Sequence, residues 1–349
     1  MGFLFNMKVA ILGHLLTKKD LRKLFPFGKY LPLSLMEFLI NIYPKKFSLM
    51  SEFDILGKAK GYLLGIHLTS EQIMNNDKDK IKNIILETIL YAQNKLNCDI
   101  VMLGALTAPA TSAGLWLKTK NQIKLGITTG NTYTAAVAIQ ATEKAIDLAG
   151  LNLDNIKIAI VGSAGVIGEA VVKYFNKKNA NLILVERSLE RFDRLKNKLQ
   201  GKNFELTDNL KNIINADVLI TATSHPEALI TGDLLKKNAI VIDVAEPSDV
   251  VSDIKKIRPD VISIDGGRVK WNKININFKI GLPSNVGFAC MTEGMMQALE
   301  EDKNDYIGSV DMNHLEDTIN WAKKWGFEIA DFTCFNELID LKKFKNINN

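Results

Sequence analysis

The sequence predicts an α/β protein with a parallel sheet in its middle third, and three observations predict it. Between residues 155 and 267 short apolar runs alternate with amphipathic segments. Strand, turn, helix and strand in succession imply right-handed crossovers and a parallel sheet. One apolar run passes directly into glycines spaced at three, Gly162, Gly165 and Gly168. Ahead of this zone strand-like and helix-like segments alternate, and behind it the pattern is mainly helical. The expected division is an N-terminal α/β domain over 1–153, a parallel-sheet domain over 154–280 and a C-terminal helical segment over 281–349.

In the first zone, strands are expected at 9–12, 60–66 and Ile100–Leu103. A helix is expected over 80–97, where Ile81, Ile84, Ile85, Ile89 and Leu90 recur at helical spacing. The apolar segment 31–43 is too short to span a bilayer and reads as a buried helix or as part of a wall receiving an apolar ligand. In the second zone Lys157–Val161, Asn181–Val185, 218–222, 239–244 and 261–264 read as strands, and 166–175 and 189–199 as helices. In the third, 285–300 and 314–325 are the best helices, and 343–349 looks frayed.

At 349 residues, 47% apolar and 24% charged, the chain has room for a large core. The net charge of +5 is modest and gathers into no arginine-rich arm, which argues against nucleic acid as a partner, although it would steer an acidic protein. No run of eighteen apolar residues exists, so no membrane span is expected. The start lacks a basic leader and a small-residue cleavage site, and residues 7–12 read as a first strand rather than a signal peptide. Cys98, Cys290 and Cys334 are odd in number and widely spaced, which suits neither a metal site nor a disulfide framework and points to the reducing cytoplasm.

The glycine run carries the main signal. In Gly162-Ser163-Ala164-Gly165-Val166-Ile167-Gly168 the first glycine permits a tight turn, the second lets backbone N–H groups approach a pyrophosphate, and the third lets the helix pack closely on the sheet. This is the Rossmann pattern, and it predicts a bound nicotinamide dinucleotide. Glu186 lies eighteen residues past Gly168, where an acid would hold the adenosine ribose of NADH. Arg187 and Ser188 follow at once and suit a 2′-phosphate, so NADPH is favoured over NADH. Later strand ends, Ala222-Thr223-Ser224-His225 and the stretch from Asp243 to Pro247, should border nicotinamide or substrate, with His225 a candidate proton donor. Gly266 suits a close backbone approach to the nicotinamide end, or an ordinary turn.

Cys290 follows the breaker loop 281–287 and falls in the opening turns of a predicted helix. With Gly287 as N-cap it is the third helical residue, near the positive dipole end; with Ser284 or Asn285 as cap that help weakens. Glu293 and Gln297 share its helix face, and Glu293 is a candidate to manage protons. By its residues alone, Cys290 reads first as a small buried hydrophobe and only second as a nucleophile; Cys98 and Cys334 read as core. Thr128, Thr129 and Asn131 could face a substrate, or Asn131 could simply cap the next helix. His14, at the end of the first strand, could approach substrate.

Taken together, these segments resemble the long-chain acyl-(acyl-carrier-protein) reductases of cyanobacterial hydrocarbon synthesis, from about residue 8 to 335. Gly13-His14-Leu15, the segment Thr128 to Ala135, the glycines from Gly162 to Gly168, and Phe288-Ala289-Cys290 with Glu293 match the family's motifs in order. Residues 22–50 match poorly, and 102–111 keep only the outline of a glycine-containing loop. The resemblance implies NADPH-dependent reduction of a fatty acyl thioester to aldehyde, with Cys290 as nucleophile and acyl carrier protein or coenzyme A as carrier. Two other readings stay open. One is a cysteine-independent, shikimate dehydrogenase-like enzyme acting on a small hydroxy or keto substrate. The other is a non-catalytic dinucleotide-binding regulator.

Overall fold

The computed structural model describes residues 6–15, 30–42, 46–201, 203–225 and 227–347. It divides into two compact units: Met1–Gly130 with Trp271–Ser309, and Asn131–Lys270 with Val310–Asn349. Mixed α/β architecture holds in both. The division differs from the sequence-based one: residues 131–153 go with the parallel-sheet unit, and the Cys290 segment goes with the N-terminal strands.

The first unit is built on a five-stranded sheet. Its strands are β1 (Met7–Leu15), β2 (Phe47–Ile55), β3 (Ala59–Thr69), β4 (Ile100–Leu103) and β5 (Gly126–Thr128), in the order β2-β3-β1-β4-β5. All neighbours are parallel except β2, which pairs antiparallel with β3. The central strand buries Val9, Ala10, Ile11 and Leu12 in succession, the signature of a strand covered on both faces. Side chains alternate along a strand. Ala10, Leu12, Val101 and Leu103 accordingly join Ile81, Ile84, Ile85 and Ile89 of the helix Lys78–Lys95 in one core cluster. On the other face Val9 and Met102 meet the helix Ala289–Leu299. There Gly294 packs so closely that a Cβ would lie 2.9 Å from Met102 Cβ.

Three expectations for this unit are corrected. The edge strand β2 went unread, because its sequence Phe-Ser-Leu-Met-Ser-Glu-Phe-Asp-Ile mixes polar residues into both faces beyond its first turn. The helix Leu33–Ile42 is not buried; Met36 and Ile40 point inward at i,i+4, while Leu35 and Phe38 are exposed. Tyr43 and, of the poorly matching stretch 22–50, residues 22–29 and 43–45 lie outside the described residues. Finally, the helix expected over 285–300 begins at Ala289, because Val286–Phe288 is extended. Gly287 is there for closeness rather than capping: a Cβ on it would fall 2.1 Å from the Trp271 ring.

In the second unit β6 (Lys157–Val161), β7 (Asn181–Val185), β8 (Phe204–Thr207), β9 (Val218–Thr221), β10 (Ile240–Asp243) and β11 (Ile262–Asp265) form one parallel sheet, ordered β11-β10-β9-β6-β7-β8. Numbered within the sheet, that is the 3-2-1-4-5-6 order of the Rossmann fold. Its edge strand β8 was missed, since it is half-exposed and short. Within the tail expected to fray, Leu341–Asn346 forms a 3₁₀ turn whose Phe344 is fully buried, 5.9 Å from the Phe332 ring, and residues 348–349 lie outside the described residues. Among the described residues no helix is long and apolar enough to cross a membrane.

The seating of the helix Ala289–Leu299 is testable. Gly294→Val should force it from the β1–β4 face and cost about 1–3 kcal/mol of stability, read as a lowered Tm with native-like circular dichroism; an unchanged Tm would contradict the packing.

Candidate functional site

Phe288 is the N-cap of the cysteine helix, extended and without a side-chain cap bond, so Cys290 is its second residue rather than its third. First-turn N–H groups have no intrahelical acceptor and the dipole is positive there, so the position favours a negative charge. Every residue from Ala289 to Leu299 is buried except Cys290, which is partly exposed. The polar residues of the helix are the ones hidden: Thr292, Glu293 and Gln297 have no exposed surface. A buried carboxylate needs hydrogen bonds. Glu293 Oε1 accepts one from Thr128 Oγ1 at 2.5 Å, and Gln297 Nε2 donates to the Asn304 carbonyl at 2.7 Å.

The end of β5 wraps this helix start. Thr128 Oγ1 also accepts from the Gly130 N–H at 3.1 Å, and the Thr129 N–H donates to the Tyr306 carbonyl at 3.1 Å. Gly130 has φ +68°, and a Cβ there would lie 2.4 Å from Cys290 Cα. Only glycine satisfies both conditions. The structure thus brings Thr128, Thr129, Cys290 and Glu293 together. Asn131 opens the next helix, Asn131–Leu148, as its first residue rather than its cap.

In the second unit, β6 runs into Gly162 at φ +78°. The N–H groups of Gly162 and Ser163 donate to the Val185 carbonyl at 3.1 and 3.2 Å. Gly165 caps the helix Val166–Lys177 with no side-chain bond, while Ala164, Val166 and Ile167 stay partly exposed around the turn. A Cβ on Gly168 would fall 2.1 Å from the Gly162 carbonyl oxygen, which is the close helix–strand approach the spacing implied. A bare glycine turn opening onto an uncapped helix N-terminus fits a dinucleotide pyrophosphate.

At the end of β7, Glu186 is buried and its Oε1 accepts from the Arg187 and Ser188 N–H groups at 3.0 and 3.4 Å. Arg187 is exposed. Ser188 accepts from the Arg191 N–H as the N-cap of Leu189–Lys196, which leaves its hydroxyl proton to donate. At the ends of β9 and β10 lies a buried acidic network, in which Asp249 joins Asp243 of the stretch expected to border nicotinamide or substrate. Asp243 accepts from Ser248 Oγ at 2.5 Å and from the Ala245 N–H at 3.1 Å. Burial, and then neighbouring Asp249, push its carboxyl up to about 7 against those hydrogen bonds. Burial also raises Glu246, opposed by Arg268, whose guanidinium is 3.6 Å away.

Other expected residues have local explanations. His14 Nε2 accepts from the Leu106 N–H at 3.1 Å, and Nδ1 lies 2.9 Å from the Leu15 carbonyl oxygen, so both ring nitrogens hold backbone. A Cβ on Gly266 would meet Ile242 Cγ2 at 2.5 Å, so packing accounts for that glycine. His225 Nδ1 lies 2.9 Å from the Glu227 carbonyl within its own loop. Burial pushes the Cys98 thiol up to about 12 and raises Cys334 as well.

Residues 143–266 match the family model of shikimate / quinate 5-dehydrogenase. A long-chain acyl-[acyl-carrier-protein] reductase from Synechococcus elongatus is 31% identical over 183 residues, 50% of this chain and 52% of that protein. The resemblance to the acyl-carrier-protein reductases stands. A glutamyl-tRNA reductase from Methanococcus aeolicus is 36% identical over 145 residues, 40% of this chain and 36% of that protein. The matched stretch therefore spans about half of the first relative and about a third of the second. Among solved structures, an NAD-dependent malic enzyme from Thermotoga maritima is similar at TM-score 0.46 and 13% identity, over 98% of this chain and 82% of that one, a likeness too loose to bear on chemistry.

Two outcomes follow from this geometry. Iodoacetamide should label Cys290 in the native protein and reach Cys98 and Cys334 only after unfolding; peptide mass spectrometry with Cys98 labelled first would contradict the exposure pattern. For Asp243 the folded pKa, about 7, exceeds the ordinary 3.8. The folded state then binds the extra proton, and the stability this confers is full below pH 4 and lost as pH rises through 7. Wild type should accordingly lose more Tm between pH 5 and 8 than Asp243→Asn, whose amide mimics the protonated acid; parallel Tm profiles would exclude the effect.

Proposed function

We propose that this protein reduces a fatty acyl thioester to an aldehyde with a nicotinamide dinucleotide, using Cys290 as nucleophile. One observation carries the reading. A helix that buries its glutamate and glutamine exposes its cysteine, and does so in the first turn, against the hydroxyl-rich end of β5. A cysteine retained for packing would be inside and the glutamate outside. Of the two relatives above, one is named a long-chain acyl-[acyl-carrier-protein] reductase and the other a glutamyl-tRNA reductase, which supports reduction of an acyl group delivered on a larger molecule. The shikimate / quinate match ends at residue 266, before Cys290, and bears on the dinucleotide unit alone.

In this reading the Cys290 thiolate attacks the thioester carbonyl and forms a new C–S bond. The carrier sulfur leaves as a thiolate and takes up a proton. The dinucleotide, when bound, supplies hydride to the acyl carbon. Collapse of the resulting thiohemiacetal breaks the C–S bond, releases aldehyde and restores the cysteine. Ala164, Val166, Ile167 and Gly168 would hold the pyrophosphate by backbone N–H, while Gly162, Ser163 and Gly165, whose N–H groups donate to the Val185 and Gly162 carbonyls, shape the turn, with Ala222 and Thr223 at its side. Arg187 and the Ser188 hydroxyl favour NADPH over NADH. Thr128 and Thr129 flank the acyl group. Glu293 serves by fixing Thr128 and Gly130 against the cysteine, and His14 by holding the loop at Leu106; neither is assigned a proton transfer. Acyl carrier protein or coenzyme A would deliver the acyl chain.

Cys290→Ala should lower aldehyde formation from acyl thioesters by roughly a thousandfold or more, the scale set by losing a covalent nucleophile, while NADPH binding persists. Wild type incubated with an acyl thioester and no NADPH should gain the acyl mass on the Cys290 peptide. Retained turnover in Cys290→Ala would refute the covalent route. Testing acyl-coenzyme A and acyl carrier protein side by side identifies the carrier.

A further inference from the structure

The wall of the glycine turn is itself held by a residue that touches no part of the turn. The Ala222 N–H donates to the Val161 carbonyl at 3.1 Å, which brings the chain after β9 alongside the start of the turn. Its fit is close: a Cβ on Gly162 would lie 2.9 Å from the Ala222 carbonyl oxygen and 3.3 Å from Thr223 Cγ2. Behind that wall stands Asp249, with no exposed surface. Its Oδ1 accepts from Thr223 Oγ1 at 2.5 Å, and its Oδ2 accepts from the Thr223 N–H at 3.1 Å and from the Thr221 hydroxyl. Its own carbonyl accepts the N–H groups of Leu229 and Ile230 at 2.8 Å each. Thr223 Oγ1 then accepts from the His225 N–H at 3.1 Å, which extends the grip along the loop.

Among the described residues no lysine or arginine pairs with Asp249. Its side-chain oxygens meet neutral donors only, two hydroxyls and one backbone N–H. What the carboxylate adds is geometry. It seizes two residues on either side of Ala222 with three hydrogen bonds and permits the intervening peptide one orientation, with its carbonyl toward Gly162.

We propose that Asp249 is a positioning residue for the dinucleotide: through Thr223 it clamps the Ala222–Thr223 wall against Gly162, so that the turn aims the first N–H groups of the helix Val166–Lys177 at the pyrophosphate. The proposal rests on the dinucleotide reading above and adds to it a residue outside the glycine motif.

Fluorescence titration of the full chain with NADPH, together with Tm, tests it. Thr223→Val removes the hydroxyl but keeps the shape, and should weaken NADPH binding by about tenfold, the scale of losing one hydrogen bond to a charged group. Thr223→Ser restores the hydroxyl and should bind within roughly twofold of wild type, since that bond is remade. Asp249→Asn should weaken binding at least as much as Thr223→Val. Thr142→Val is the control: its buried hydroxyl donates to the Ala138 carbonyl at 2.7 Å within the helix Asn131–Leu148, so it should lower Tm without changing affinity. If Asp249→Asn fails to fold, the Thr223 pair decides the matter. Wild type that binds while Thr223→Val binds equally well overturns this proposal alone. So does Thr142→Val losing affinity in proportion to Tm, because the effect is then general destabilisation. Wild type that binds neither NADPH nor NADH overturns the dinucleotide reading along with it.

Discussion

The first unit depends on one close approach. The backbone at Gly130 lies against the backbone of Cys290 with no space for a side chain between them, at a left-handed φ that also favours glycine. Because the end of β5 sits so near, the Thr128 hydroxyl reaches Glu293 one turn along the helix. That bond gives the buried acid a hydrogen-bond partner, which a polar group without exposed surface requires. The helix is thereby fixed in rotation with its acid inward and its sulfur outward. Exposure of the thiol is a consequence of how its neighbours are buried.

A similar logic governs the second unit. The turn after β6 brings backbone against backbone at Gly162 and Gly168, which seats the helix Val166–Lys177 close on the sheet and leaves its N-terminus clear of side chains. Behind it the sheet's carboxyl edge holds Asp243 and Asp249 among threonine and serine hydroxyls. Polar groups packed at this depth cost free energy unless each finds partners, and a satisfied network then permits few alternative arrangements. The rim of a Rossmann sheet is thus stiff at the place where a flexible glycine turn needs a fixed backing.

Reading the sequence recovered what local pattern controls. Apolar period and glycine spacing located β6, β7 and the turn between them, because a doubly covered strand and a phosphate-binding turn both write their demands into adjacent residues. Cys290 was found by its breaker loop and its motif. Edge strands escaped: β2 and β8 are partly solvated and carry mixed residues that do not separate from loop. The cysteine helix starts at Ala289, four residues later than expected and one later than a cap at Gly287 would give, since Gly287 resembles a cap in sequence but answers to the Trp271 ring in space.

By itself, the sequence determined the fold class, the dinucleotide-type turn and which cysteine stands apart, since each depends on residues near one another in the chain. Tertiary structure decided which side chains of the cysteine helix are hidden, that His14 serves backbone, and that Asp249 stands behind Thr223. Those outcomes depend on contacts between segments 26 to 165 residues apart, as for Thr223 with Asp249 and Thr128 with Glu293. Burial and hydrogen-bond partners over such distances are set by packing, which no local period records.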